Sequence, residues 1–328
     1  MKSFHALMRS TKSKTMAHNN SNFSRLINFV SRQPLSVARF TAKFLALLVN
    51  TFKLTKTAHI IRLNLAIALP HLSQTERNTI GRNAIQNEMI SYFEFFHIWG
   101  AENQKNIKRI NQVHNEHLFH NALAENKGLV LVMPHFGTWE IMNAWLAQHT
   151  QMTIMYKPIK NESADNFVRG ARSRDQSVLV PTDESGVRQI FRSLKQGGTT
   201  VILPDHSPDH TGELVPYFGI PLFSSNLSAK LIQKTKAATL FMYALRNENS
   251  SFDIFIEEID SAIYSLNAEQ GTEIIHKAIE SLITKNPENY HWSYNRFSAN
   301  PALRKVYNIS TDEALALVEK VRNNEINQ

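Results

Sequence analysis

Residues 128–141 read GLVLVMPHFGTWEI, and this stretch decides the fold. An unbroken apolar run without alternation is typical of a strand that is buried on both faces of a sheet. Pro134 cannot extend the hydrogen-bond ladder, so the strand ends there and His135 emerges at its carboxyl end. Gly137 permits a tight turn, and the residues that follow are typical of a helix with Glu140 in its first turn. The stretch therefore predicts a strand, a turn and a helix, which together are the repeating unit of an α/β fold.

The same alternation continues along the chain. Short apolar or β-branched runs are separated by segments with helical spacing, such as a helix from Ser185 to Gly197 and another at residues 267–284. The runs lie at Leu129–Met133, Thr153–Tyr156, Val178–Val180, Thr200–Leu203, Leu240–Leu245 and Phe252–Ile256. The pattern predicts an α/β fold with a central mixed, largely parallel sheet flanked by helices. Ligands bind at the carboxyl ends of strands in such sheets, which is where His135 is expected.

Charge is distributed unevenly over the 328 residues, whose net charge is +8. No acidic residue occurs before Glu76, whereas eleven basic residues precede it. Such a segment favours an anionic partner, and nucleic acid or a membrane would both satisfy it.

A helix at Leu35–Phe52 favours the membrane. Its large apolar residues recur at steps of three and four, with Arg39 and Lys43 on another face, as in an amphipathic helix. The apolar run after Lys43 is shorter than the ~20 residues that span a bilayer, so we expect the helix to lie in the interface with its cations on anionic head groups. A surface helix packed on the protein's own core would show the same pattern.

The domain organisation follows from these features. Residues 1–75 are expected to form a basic, helical, membrane-associating extension, and residues 76–328 one catalytic-sized domain. Within that domain we expect a helical lead-in at 76–125, an α/β core at 126–307 and a C-terminal helix at 310–328. Because the chain contains no cysteine, thiolate nucleophiles and cysteine zinc sites are excluded.

His135 and Glu140 are candidates for a reacting pair. A carboxylate on one imidazole nitrogen fixes the tautomer and leaves the other nitrogen free to take a proton from a hydroxyl. The alternative is structural, because a histidine at a strand end is often simply hydrogen-bonded and a first-turn glutamate is favoured by the helix dipole alone. A His-to-Glu spacing by itself does not decide between them.

Resemblance to a known family favours catalysis. HFGTWE after an apolar strand resembles the H-x-x-x-x-(D/E) motif of the lysophospholipid acyltransferase superfamily. Its residues are similar to those of this motif in the late, or secondary, acyltransferases of lipid A biosynthesis. Further blocks agree in order and extend the resemblance over about residues 80–307. They are NFVRGARSRD (166–175), SLKQGGTTVILPDHSP (193–208), GELVPYFGIP (212–221), AKLIQKTKAATL (229–240) and PENYHWSYNRFSANP (287–301).

The resemblance implies roles for particular residues. His135 would be the general base and Glu140 its partner, in direct attack of an acceptor hydroxyl on the thioester of an acyl carrier protein, without a covalent acyl-enzyme, metal or cofactor. Substrate-binding roles are implied for Arg169, Arg172, Asp205, Gly212, Phe218 and Gly219. Two guanidinium groups near the crevice could hold a phosphate or the developing oxyanion, although each could equally be a solvated helix charge.

Two positions depart from the family pattern. His206 stands where a glutamine is usual, and Asn295 where a basic residue is frequent. The first change creates DHSPDH at residues 205–210, whose histidines and carboxylates could be metal ligands, although the spacing matches no metal template.

The expected function is therefore an acyltransferase that adds a secondary fatty acyl chain to a phosphorylated lipid A precursor. It would work at the anionic, cytoplasmic face of the inner membrane of a Gram-negative bacterium, without nucleic acid as a partner. Transfer to a glycerolipid or an aminolipid is the alternative within the superfamily. A metal-dependent hydrolase built on residues 205–210, or a non-catalytic protein that binds membrane or nucleic acid through its basic N-terminus, would be different classes.

Overall fold

Three helices of 13 residues or more lie between residues 35 and 100 of this computed structural model, which describes residues 25, 27–52, 55–174, 177–206 and 212–325. They are α1 (Leu35–Phe52), α2 (Lys56–Ala68) and α3 (Gln74–Gly100). Helix α3 begins at a capping box, in which Ser73 accepts from the Glu76 amide while the Glu76 carboxylate accepts from the Ser73 amide. The lead-in expected at residues 76–125 is helical over α3, but it also contains a strand at Ile110–His114.

The centre of the fold is a seven-stranded sheet of order β1-β9-β8-β2-β5-β3-β4. Five neighbouring strands are parallel, and β9, with β1 beside it, runs in the opposite direction. The strands are β1 (Ile110–His114), β2 (Leu129–Val132), β3 (Met152–Tyr156), β4 (Val178–Pro181), β5 (Thr199–Ile202), β8 (Ala238–Arg246) and β9 (Phe252–Glu258). A separate antiparallel hairpin is formed by β6 (Glu213–Tyr217) and β7 (Ile220–Ser224). The predicted α/β fold with a mixed, largely parallel sheet is confirmed.

Helices cover both faces of the sheet. Those after the first three are α4 (Asn103–Ile107), α5 (Glu116–Ala124), α6 (Met142–Leu146), α7 (Glu162–Arg172), α8 (Glu184–Lys195), α9 (Leu227–Thr235), α10 (Ala268–Lys285) and α11 (Thr311–Arg322). Alternate residues of β2 enter opposite cores, because Val130 and Val132 pack with α2, α8 and α10 whereas Leu129 and Leu131 pack with α5 and α6. Strand β2 is thus buried on both faces, as its unbroken apolar run predicts.

Helix α1 lies on the protein through small residues and leaves its large ones outside. Ala38, Ala42 and Ala46 are buried, whereas Phe40 is 72% and Leu47 61% exposed. By length and composition, α1 would also be able to cross a membrane. Helix α1 therefore packs on the protein, as the alternative of a surface helix expects, but it does so through its alanines, and its phenylalanine and leucine face stays exposed.

Arg39 corrects the expectation that the cations of α1 meet head groups. Its Nε donates to the fully buried Glu94 of α3 at 2.6 Å, and Arg246 of β8 donates to the same carboxylate at 2.8 and 2.9 Å. A buried carboxylate requires such partners, so Arg39 fastens α1 to the sheet. Lys43 is exposed and stays a candidate for a head-group contact.

Helix α2 belongs to the core although it falls within the expected extension. Most of its residues are buried, and Nδ2 of the buried Asn64 donates to the carbonyl oxygens of Trp292 and Tyr294 at 2.6 and 2.8 Å. The two helices within the first 75 residues therefore differ: α2 buries its apolar side chains in the core, whereas α1 exposes its large apolar side chains.

Candidate active site

The register of two neighbouring strands creates the site. Strands β2 and β5 pair in parallel with Val132 opposite Ile202, and three further residues along each chain place Asp205 opposite His135. The backbone N–H of His135 donates to Oδ2 of Asp205 at 3.0 Å, and His135 Nδ1 lies 2.8 Å from Asp205 Oδ1. The histidine thus emerges at the strand end that the sequence predicts, but its carboxylate partner comes from the adjacent strand.

The carboxylate of Asp205 is fully buried and ionised. Burial opposes its ionisation, but the His135 ring and backbone amide outweigh that effect and hold the pKa of Asp205 well below its ordinary value. The hydroxyl of Tyr290 donates to Oδ2 at 3.0 Å, and burial raises the pKa of Tyr290 well above its ordinary value, so this hydroxyl stays protonated. Three donors therefore surround one carboxylate.

The His135 ring is fixed in orientation. Because an ionised Asp205 accepts, Nδ1 carries the proton and the lone pair is at Nε2. Nε2 has no hydrogen-bond partner within the described ranges, and 19% of the side chain is exposed. An imidazole that a buried carboxylate holds in this way has the geometry that general-base catalysis requires.

Two rings enclose the imidazole. His206 stacks on His135 with centroids 3.7 Å apart and planes within 4°, and Tyr294 stacks on the other face of His206 at 3.9 Å. The Trp139 ring meets His135 edge-on at 5.0 Å. Burial, reinforced by His135, lowers the pKa of His206 to about 3, so His206 is neutral at physiological pH.

The stack also bears on the metal alternative. Ligand atoms of His135, Asp205 and His206 lie within 4.8 Å of one another, close enough for a three-ligand site. Parallel rings, however, direct their nitrogen lone pairs side by side, whereas metal ligands converge on one point. The geometry therefore fits a hydrogen-bonded pair better than a metal centre. The other two members of the predicted cluster, Asp209 and His210, lie outside the described residues.

Glu140 corrects the expected pairing with His135. It is 2% exposed, and its Oε2 accepts from the Trp99 indole and the Asn143 amide, each at 2.9 Å. Its Oε1 accepts from Nε of Arg172 at 3.1 Å and from a second guanidinium nitrogen of the same residue. The spacing within HFGTWE brings Glu140 to the right end of the sheet, but the short helical turn directs its carboxylate to α7.

The side chain of Arg172 is therefore held by Glu140, whereas the side chain of Arg169 is more exposed to solvent. Burial would favour neutral Arg172, but Glu140 outweighs it and raises the pKa of the guanidinium further. The group lies 6.0 Å from the ring centroid of Trp99, and 27% of the side chain is exposed. Arg169 is about half exposed and pairs with Asp165 at 3.2 Å. Of the two predicted arginines, only Arg172 joins the residues of the HFGTWE motif.

The glycine-rich block has mainly structural contacts. Gly212 has φ +126°, and an added Cβ would lie 2.2 Å from the Ser224 carbonyl oxygen, so the expected close backbone approach is confirmed. Phe218 and Gly219 form the two-residue turn of the β6–β7 hairpin, both with positive φ, and the Phe218 amide donates to Glu280 of α10 at 2.7 Å. The substrate-binding roles of these three residues stay predictions.

The sequence did not predict that residues 289–291 form hydrogen bonds with the backbone of the HFGTWE motif. The His291 amide donates to the His135 carbonyl at 3.0 Å, and the Gly137 amide donates to the Asn289 carbonyl at 2.7 Å. The His291 ring donates through Nε2 to the Gly137 carbonyl at 2.9 Å. The signal was the dense polar and aromatic block at residues 287–301, which has neither helical nor strand periodicity.

Comparison with known proteins shows the family of this chain. The model of the family described as bacterial lipid A biosynthesis acyltransferase matches residues 23–299. A lipid A biosynthesis palmitoleoyltransferase of Escherichia coli K12 is 21% identical over 263 residues, which are 76% of this chain and 81% of that protein.

Two further relatives have narrower matches. A lipid A biosynthesis acyltransferase of Haemophilus influenzae is 28% identical over 56% of this chain and 58% of its own length. A phosphatidylinositol mannoside acyltransferase of Mycobacterium tuberculosis is 31% identical over 125 residues, which are 36% of this chain and 39% of that protein.

Proposed function

Because this chain belongs to the bacterial lipid A biosynthesis acyltransferases, we propose that it adds a secondary fatty acyl chain to a hydroxyl of a lipid A precursor. The observation that carries the proposal is the pairing of His135 with Asp205 at the carboxyl edge of the sheet, with Nε2 not hydrogen-bonded to any residue that the structure describes. A base in this state is what direct attack by a hydroxyl requires.

In the proposed reaction, Nε2 of His135 takes the proton of the acceptor hydroxyl as its oxygen attacks the carbonyl carbon of an acyl carrier protein thioester. The ester C–O bond forms, the C–S bond breaks, and His135 returns the proton to the departing thiolate. No covalent acyl-enzyme is formed. A thioester is already activated, so alignment and a base supply the chemistry without a metal or cofactor.

Asp205 stabilises the imidazolium that forms in this step. Its carboxylate already accepts from Nδ1, so the positive charge on the ring gains a partner without rearrangement. His206, kept neutral by burial, adds no competing charge to the other face of the ring.

Glu140 acts through Arg172 in this proposal. The buried carboxylate neutralises one side of the guanidinium and fixes its direction, while the exposed part of Arg172 can meet a substrate phosphate or the developing oxyanion. Glu140 is thus a positioning residue, and its loss would misplace Arg172.

The acceptor of the acyl chain and the location of the enzyme are proposed from its exposed residues. The basic segment before Glu76 and the exposed apolar face of α1 fit the anionic, cytoplasmic leaflet of the inner membrane of a Gram-negative bacterium. A phosphorylated glycolipid resides in such a leaflet, so enzyme and acceptor would be held at one surface.

A second candidate has the same chemistry with another lipid acceptor. It is favoured by the likeness to a phosphatidylinositol mannoside acyltransferase, which is limited to 125 residues. This candidate ranks second because the match to lipid A enzymes covers more of the chain.

The test is acyl transfer in vitro from acyl carrier protein to a tetra-acylated, Kdo-bearing lipid A precursor, followed by product mass. We expect one added acyl group with wild type and near-complete loss with His135→Ala. His117→Ala, which removes an exposed imidazole elsewhere, serves as the matched control and should retain activity.

Three results would count against the proposal. Undiminished transfer by folded His135→Ala would remove the mechanism. A wild type that does not acylate this acceptor but acylates a phosphatidylinositol mannoside or a glycerolipid would move the function to the second candidate. Inhibition by a chelator would support the metal-dependent alternative.

A further inference from the structure

A groove of about 340 Å³ runs between α8 and α9, away from the residues around His135. Its floor is apolar and is formed by Val187 and Phe191 of α8 and by Leu227 and Leu231 of α9. These side chains are buried or half-buried, so the groove is concave and its apolar surface is recessed.

The rim of the groove is entirely basic. Arg188 and Arg192 come from α8, and Lys230 and Lys234 come from α9; all four are exposed. The lining contains no acidic residue. Arg188 is within 3.4 Å of Glu184, both largely exposed, whereas the other three cations have no ion-pair partner in the described part of the chain. Four cations are thus held around a single apolar recess.

The groove lies between two helices that both begin at the catalytic edge of the sheet. Helix α8 begins directly after β4 ends, and α9 ends just before β8 begins, so both helices run antiparallel to those strands. Their N-termini therefore lie at the carboxyl edge, where His135 and Asp205 meet.

We propose that this groove docks the acidic carrier protein that delivers the acyl thioester. The inference rests on the proposed function, which names a carrier-bound thioester as donor. An acidic helix with an apolar residue at its centre would place carboxylates on the four cations and the apolar residue on Phe191 and Leu227.

A lipid surface fits the groove less well. A bilayer is met by outward-facing apolar side chains, and these lie on α1, where Phe40 and Leu47 are mostly exposed. The floor of the groove is recessed below its cations, which suits a convex partner.

The experiment compares two donors that carry the same acyl chain, one on acyl carrier protein and one on pantetheine, which lacks the protein. The variant is Arg192→Glu/Lys230→Glu. We expect its KM for the carrier-bound donor to rise at least tenfold, while its activity with acyl-pantetheine stays unchanged. Binding of the carrier protein itself, measured by calorimetry, should weaken by a similar factor and should weaken with salt in the wild type.

The matched control is Lys285→Glu/Lys320→Glu, which makes the same charge change at exposed sites on α10 and α11 and should leave both donors unaffected. The proposal would be overturned if the groove variant bound the carrier protein as tightly as the wild type does, or if it lost equal activity with both donors. A loss confined to binding of anionic vesicles would also overturn it. A wild type that transfers from neither thioester would instead count against the proposed function, and the groove would still be judged by carrier binding.

Discussion

Asp205 and His135 are separated by 70 residues along the chain, yet Oδ1 of the first lies 2.8 Å from Nδ1 of the second. Parallel pairing of β2 with β5 creates this contact, because equal distances beyond Val132 and Ile202 lead to the two residues. The carboxylate is fully buried and has no exposure to solvent of its own. The activity of His135 as the proposed base should therefore depend on Asp205 more than on Glu140 of its own motif.

Replacing Asp205 with asparagine should reduce kcat by about 10³-fold or more, since an amide can donate to Nδ1 and leave the proton on Nε2, where the base is needed. Acyl transfer measured by product mass tests this, with circular dichroism to establish folding. The control Asp312→Asn removes an exposed carboxylate at the start of α11 and should be silent. Retained activity in Asp205→Asn would contradict the assignment of the pair.

Replacing Tyr290 with phenylalanine removes one of the three donors to Asp205. A carboxylate with fewer donors holds the imidazolium more strongly, so the acid limb of the pH profile of kcat/KM should move to higher pH. Tyr217→Phe is the comparison, because its hydroxyl reaches only the Tyr290 hydroxyl, at 3.5 Å, and should shift the limb less. A lower rate with an unmoved profile would mean that Tyr290 is merely structural.

The sequence was sufficient for most strands of the central sheet. The unbroken run at β2, the proline after it and Gly137 are local signals, and they correctly predict a buried strand with His135 at its end. The helix from Ser185 was also expected, although Asp183 caps it by accepting from the amides of Ser185 and Gly186.

The sequence was insufficient to predict which residues of different elements contact each other. Glu140 is five residues from His135 and Asp205 is seventy, so local spacing favoured the wrong carboxylate. Strand register and the direction of a single turn decide the matter, and neither is encoded in a short motif. The strand at Ile110–His114 was missed for a related reason, because it lies at the edge of the sheet and is only half-buried.

Breaking the pair of Glu140 with Arg172 should destabilise the fold as well as the activity. An unpaired charge left in a buried site costs about 3–5 kcal/mol. We expect Glu140→Gln to lower the free energy of unfolding by an amount approaching this range, as measured by urea denaturation, and the double variant Glu140→Gln/Arg172→Met to recover part of the loss. Activity should stay low in both. Normal stability in Glu140→Gln with abolished transfer would favour direct participation of Glu140 in the chemistry.

Helix α1 should account for membrane binding. Removing two exposed apolar side chains with Phe40→Ser/Leu47→Ser should weaken binding to vesicles of anionic phospholipid at least tenfold, because each large apolar group contributes roughly 1.5–3 kcal/mol when it leaves water. Sedimentation with vesicles measures this. The control Val178→Ser/Leu266→Ser removes exposed apolar groups from other surfaces and should bind normally. Equal loss in both would show that general hydrophobicity, and not α1, decides the binding.

Glu88 should make the fold sensitive to pH. Burial raises the pKa of this carboxyl to about 7, and its Oε1 lies 3.9 Å from Nδ1 of the buried His291, whose Nε2 holds the Gly137 carbonyl. Since the unfolded chain ionises near the ordinary value, the folded state loses stability as pH rises from about 4.5 to about 7.

Glu88→Gln has no proton to lose, so it should become progressively more stable relative to wild type across that window and keep a constant difference above it. Urea denaturation at pH 5, 6, 7 and 8 measures the difference. Burial lowers the pKa of His291 to about 3, which makes both proteins less stable as pH falls below about 6.5, but this effect cancels in the comparison. Glu269→Gln, at an exposed carboxyl of α10, is the control. A difference that is flat between pH 5 and 8 would mean that Glu88 is ionised throughout this range and would contradict the prediction.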